Sequence, residues 1–168
     1  MPKPTKPPTT KSRKRVTAKK QVTTGISTEC LAAGFVRADL VFDGLDHSGA
    51  SFEARIFINN PDADASTELT AQNRYAGRFH IFGHGGCFGD VGHCEVRGVP
   101  RPYDPRPAHP LTPMRKVVIA TDALRREIKR SGGKELTLTI VPIVRSGTER
   151  CDYENVLKFD RVSVVTYA

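Results

Sequence analysis

Five side chains able to bind a metal or attack an electrophile fall within fifteen positions: His80, His84, Cys87, His93 and Cys94. Imidazole and thiolate are the ligands that Zn(II) and Cu(I) prefer. Glycines 83, 85, 86, 89 and 92 run through the same stretch and free the backbone to bring separated ligands together. The candidate metal set is therefore His84, Cys87, His93 and Cys94, with His80 as a further member and copper or zinc as the cation. Two other readings stand beside it. Six residues separate Cys87 from Cys94, unlike the short Cys-x₂₋₄-Cys knuckle, so the pair also suits a loop-closing disulfide. The thiols also suit plain burial, with the glycines as turn residues.

Cys30 and Cys151 lie near opposite ends of the body. Four cysteines allow three complete pairings, and spacing does not choose among them. No secretory h-region follows the N-terminal charges, so the expectation is a cytoplasmic chain with reduced thiols. His47 lies in a turn and His109 between prolines, and neither is taken as a ligand. A Cys87–His84 or Cys87–His93 nucleophile, oriented by Asp90, needs hydrogen-bond reach that spacing does not supply. Asp62, Asp64 and Glu68 lack the spacing and closing acid of an EF-hand. There is no GxxxxGK[ST], GxSxG or HExxH motif, and no apolar run approaches the roughly 20 residues of a membrane span.

The elements that must carry this loop read mainly as β-strands. Phe35–Phe42 is a strand followed by turn chemistry at Asp43-Gly44, Asp46, Ser48 and Gly49. Ser51–Asn59 alternates, with Phe52, Ala54, Ile56 and Ile58 on one face and Glu53, Arg55, Phe57 and Asn59 on the other. Asn59-Asn-Pro-Asp62 ends it, and a polar loop runs to about Asn73. Tyr75–Phe82 is a strand interrupted by Gly77, and Lys116–Ala120 is a short apolar one. Residues 100–113 hold six of the twelve prolines and read as an extended wrapping segment. One helix is expected at about 122–130, capped by Thr121, with Asp122 at its positive end and Ser131-Gly-Gly133 stopping it. Leu124 and Ile128 are its docking residues. Glu135–Val144 alternates, and Pro142 assigns it to a sheet edge or bulge. Val156–Tyr167 is the last strand region. The expectation is an antiparallel β-sandwich, jelly-roll-like, with one short helix, occupying residues 22–168.

Residues 1–21 form a separate region by composition. The chain has 168 residues with 26 Lys+Arg, 18 Asp+Glu and a net charge of +8. Eight of those bases and none of the acids stand in residues 1–20, which leaves 18 against 18 in the rest. The basicity thus belongs to a Pro-, Lys- and Thr-rich tail that has too little apolar surface to order itself. Such a tail reads as a solubilising or linking arm, with weak attraction to nucleic acid or another polyanion, without base stacking, and a sorting signal as the alternatives.

The order of several motifs resembles the C-terminal β-domain of polyphenol oxidases and tyrosinase-like type-3 copper proteins. They are Phe52-Glu-Ala-Arg-Ile-Phe-Ile-Asn59, Tyr75-Ala-Gly-Arg-Phe79 with His84 after it, and the helix at Thr121–Arg130. Glu135-Leu-Thr-Leu-Thr-Ile-Val-Pro142 and Leu157-Lys-Phe-Asp160 complete the series. The last piece is similar to a Lys-Phe-Asp-Val signature, with Arg161 in place of the Val and Val162 following. In that family the β-domain packs over a helical domain that holds two coppers. The resemblance implies structural roles for Tyr75, Gly77, Phe79, Lys158, Phe159 and Asp160. Strand alternation would send Phe159 to one face and its two charged neighbours to the other. A type-3 pair takes six histidines, and this chain has five: His47, His80, His84, His93 and His109. The implied role is therefore a non-catalytic accessory domain. Its partner would be a separately encoded type-3 copper oxidase that it shields, stabilises or helps metallate. The alternatives are a stand-alone Cu(I)/Zn(II)-binding module and tail-mediated polyanion binding.

Overall fold

The computed structural model describes residues 15–17, 22–27, 34–84, 111–132, 135–145 and 155–168. These residues form eight strands and one helix. The strands are β1 (Arg15–Thr17), β2 (Val22–Ser27), β3 (Arg37–Leu45), β4 (Phe52–Ile58), β5 (Tyr75–Ile81), β6 (Met114–Ile119), β7 (Glu135–Arg145) and β8 (Arg161–Tyr167). The helix α1 (Thr121–Ser131) lies between β6 and β7. All pairings are antiparallel. One sheet runs β7-β4-β5, with β1 and β2 successively along the other side of β7; the second runs β6-β3-β8. No helix among the described residues is long and apolar enough to cross a membrane.

Alternation builds the core between the two sheets. Phe52, Ala54, Ile56 and Ile58 of β4 and Leu136, Leu138 and Ile140 of β7 face inward and are buried. Leu40 and Phe42 of β3 meet them from the other sheet. The Phe42 ring is central, with its centroid 5.0 Å from Phe79 and 5.8 Å from Phe159. The architecture is the expected antiparallel sandwich. The outer face of β4 departs from simple alternation, because Phe57 is fully buried there. The loop after β4 folds back over it, placing Ala63 and Ala65 beside Phe57, Val141 and Ile143, and Tyr75 of β5 joins them. Arg55 ties the loop down by donating to the Ala65 carbonyl at 3.0 Å.

Tyr75, Gly77 and Phe79 hold the start of β5. Ile56 pairs with Gly77 but Phe57 pairs with Tyr75, a bulge that turns the strand. Gly77 has φ +147°, and a Cβ there would stand 2.5 Å from Val118 Cγ1. Only glycine suits both the angle and the space. Phe79 fills the core, and Tyr75 packs edge-on against Phe57 at 5.8 Å.

Several local expectations change. β7 is central rather than an edge, since β4 flanks it on one side and β1 and β2 on the other. Among the described pairs, β2 stops opposite Ile140 and β1 begins opposite Ile143. Pro142 pairs with Ala54 of β4 on one side, and on the other it lies between the described partners of β1 and β2. The helix begins at Thr121 itself, with Ala120 at the N-cap and no side-chain cap. The Thr121 hydroxyl oxygen instead accepts from the Ala38 amide at 3.0 Å, pinning the helix to β3. Gly132 closes the helix in the left-handed conformation, its amide donating to Ile128 O at 3.0 Å. Lys158, Phe159 and Asp160 precede β8 rather than lie on it. Arg15–Thr17, assigned by charge to the tail, form β1. The rest of the tail and the proline-rich segment up to residue 110 lie outside the described residues.

Candidate functional site

The His/Cys loop leaves the sandwich at the end of β5. Gly83 sets that departure. Its amide donates to Ser51 Oγ at 2.9 Å, and a Cβ on it would fall 2.2 Å from the Gly49 carbonyl oxygen. The chain is thus pressed against the β3–β4 turn. The next residue, His84, donates its backbone amide to the His47 carbonyl at 2.9 Å. The two imidazoles lie with centroids 5.1 Å apart and planes at 71°. The turn bearing His47 is itself braced, because Asp46 Oδ1 accepts from the Ser48 amide at 2.8 Å and the Ser48 hydroxyl at 2.6 Å. His47 Nε2 bonds the Thr112 carbonyl at 2.8 Å.

Of the sequence-derived ligand set, the structure places His84 in this pair. Cys87, His93 and Cys94 lie outside the described residues, as do Cys30, Cys151 and His109. His80 is exposed on β5, opposite Glu53. Among the described residues no three His, Cys, Asp or Glu side chains gather as a metal-holding group. His47 is the residue the sequence analysis set aside. Its partner stands 37 positions away, and a turn histidine carries no local signal of what packs against it. The Asp46-x-Ser48 turn was legible; the histidine brought to it was not.

Lys158, Phe159 and Asp160 stitch the approach of β8 to the same turn region. The Lys158 carbonyl accepts from the Asp46 amide at 3.0 Å, and Lys158 Nζ stands 3.7 Å from Asp46 Oδ2. The Asp160 amide donates to Asp43 O at 3.0 Å. Phe159 turns inward onto Phe42, edge to face. The charged neighbours thus stay outside and the ring inside, through loop geometry rather than strand alternation.

A second surface is the outer face of β6-β3-β8. Cross-strand register sets its rows: Arg161 stands opposite Asp43, Val117 and Ser163 flank Val41, and Ile119 and Val165 flank Asp39, while Arg115 reaches Asp43 through its side chain beside a register shift. Ile119 is 62% exposed and Val117 50%, and Val165 and Tyr167 are also exposed. Charged groups bound this apolar band at both ends. Asp43 accepts from Arg115 Nε at 2.5 Å and Arg161 Nε at 3.1 Å. The Arg115 hydrogen bond, reinforced by Arg161, holds the Asp43 carboxyl below the usual carboxylate range. Arg37 binds Asp39 through two bonds of 2.8 and 2.9 Å and lies over the Tyr167 ring at 5.5 Å. The hydrogen bond to Asp39 raises the Arg37 pKa. The run Val117-Val-Ile119 reads in sequence as a short apolar strand. In the structure only Val118 of the three is buried.

No protein-family model and no curated protein matches the sequence. Solved structures do match. Latent aurone synthase (polyphenol oxidase) from natural source superposes over 93% of this chain with a TM-score of 0.51 at 15% identity. The recombinantly expressed form of latent aurone synthase gives a TM-score of 0.50 at 13% identity over the same share. In both cases the match takes up 26% of the polyphenol oxidase chain. The present chain therefore has the fold of a portion of polyphenol oxidase about a quarter of its length, the extent of the C-terminal β-domain that its motifs resemble.

Proposed function

We propose that the chain is a non-catalytic accessory domain that docks on a type-3 copper oxidase unit and covers the mouth of its active site. The observation that carries this reading is the fold match, which takes in nearly all of this chain and about a quarter of the oxidase. In this reading the oxidative chemistry belongs to the remaining part of such an enzyme, and this chain supplies shape and surface. The outer face of β6-β3-β8 suits the docking role. Val117, Ile119 and Val165 form an apolar centre, and Arg37, Arg115 and Arg161 with their acids form a polar rim. Protein interfaces combine these two features. Burial of the apolar centre supplies affinity, and the rim sets register and association rate.

Co-expression with a tyrosinase-like oxidase that lacks its own β-domain, followed by gel filtration and a phenol-oxidation assay, tests the reading. A co-eluting complex that oxidises phenols more slowly than the free oxidase is expected. Separate peaks at every ionic strength, with unchanged oxidation rate, would overturn it.

A further inference from the structure

We propose that His47 and His84 form a two-imidazole binding site for a borderline divalent cation, Zn(II) or Cu(II), at the junction of the β3–β4 turn and the end of β5. The proposal stands on the geometry of these two residues and does not rest on the docking reading. Three observations carry it. First, the Thr112 carbonyl can only accept a hydrogen bond, so His47 Nε2, 2.8 Å away, carries the ring proton. In the neutral ring the lone pair then sits on Nδ1. A histidine that ligates a metal commonly donates its other ring N–H to a backbone carbonyl in this way.

Second, the separation of the rings fits a shared ion. Imidazole nitrogens bind zinc at about 2.0–2.1 Å, which brings two rings around one tetrahedral ion to a centroid separation of about 5 Å. The rings of His47 and His84 stand 5.1 Å apart. Third, both residues are held on braced backbone. The His84 amide is bonded to His47 O at 2.9 Å. Gly83 is pressed against Gly49 and Ala50, and Asp46 fixes the turn through Ser48. Such bracing lowers the entropy lost when the ligands engage an ion. His84 is exposed and His47 half-buried, so a cation reaches them from solvent. Two imidazoles favour copper and zinc over harder cations, and the remaining coordination positions fall to water or another donor.

The test uses the full chain with Zn(II) alone and then Cu(II) alone at neutral pH. In the unsubstituted protein, Zn(II) is expected to shift the imidazole resonances of His47 and His84 together at one equivalent and leave those of His80 in place. Cu(II) is expected to show nitrogen hyperfine structure from two imidazoles. His47→Gln and His84→Gln should each weaken binding by roughly tenfold or more, and His80→Gln should leave it unchanged. A Cys87→Ser/Cys94→Ser double variant keeps the two-histidine binding if the proposal holds. Binding undiminished in His47→Gln, or lost only in the cysteine double variant, would overturn it. So would resonance shifts that bypass His47 in the unsubstituted protein, a readout free of any folding defect in the variants.

Discussion

At the scale of single residues, position in the fold assigns identical side chains to different work. Asp39 and Asp43 stand on the same face of β3, yet their surroundings differ. Asp39 is buried beneath the guanidinium of Arg37, whereas Asp43 lies between two exposed arginines. A carboxyl whose folded pKa is lowered stabilises the fold above its unfolded value of about 3.9. That contribution is lost as pH falls through the folded value. Asp43→Asn is therefore expected to lower the urea midpoint at pH 7 by more than it does at pH 3. Paired urea titrations at the two pH values check this. An equal gap at both would assign the Asp43 effect to neutral hydrogen bonding instead. Glu127 is a contrasting case. It lies on the helix and is buried, with Arg130 Nη1 donating to it at 2.9 Å.

At the scale of elements, propensity and tertiary packing divide the credit. The helix was legible because Asp122 stands in its first turn, basic residues in its last, and Gly132 past its end. Its attachment was not. The Thr121 hydroxyl serves β3 rather than the helix amides, a choice that depends on where β3 lies. Leu124 is fully buried and docks the helix on the sandwich. Leu124→Ala should destabilise the protein by about 2–5 kcal/mol through lost burial and the cavity left behind. Chemical denaturation measures it, and a loss under 1 kcal/mol would show that the helix does not depend on that contact. β7 shows the opposite imbalance. Its alternating Leu136, Leu138 and Ile140 were legible as an inner face, but Pro142 pointed to an edge or a bulge. The strand is central because β4 pairs with it on one side and β1 and β2 on the other, partners that no local rule reports. The Lys158-Phe-Asp160 segment likewise puts its ring inward without being a strand.

At the scale of the whole molecule, the two sheets differ in how their outer faces are covered. The loop after β4 shields the outer face of β4 and β7, so that Phe57, Val141 and Ile143 are buried. The outer face of β6-β3-β8 keeps Val117, Ile119 and Tyr167 exposed. In the docking reading proposed above, these exposed apolar groups form the contact with the oxidase. Val117→Lys/Ile119→Lys should abolish co-elution with a type-3 copper oxidase while shifting stability by only about 1 kcal/mol, as expected for surface positions. Gel filtration together with a thermal melt separates the two effects. Retained co-elution by the folded variant would place the docking surface elsewhere.

The sequence by itself determined the fold class, most strand positions, the helix and the inward faces of β4 and β7. These follow from periodicity and turn chemistry, which act over a few residues. It also carried the motif order that resembles the polyphenol oxidase β-domain, and the concentration of basic charge in residues 1–20. Only the tertiary structure decided which face of an apolar strand stays open, that Pro142 sits inside a sheet, and that His47 meets His84. Each of these depends on chain segments far apart in sequence. Contacts of that kind are set by how two sheets and their loops close over one core, and neither residue type nor spacing records that closure.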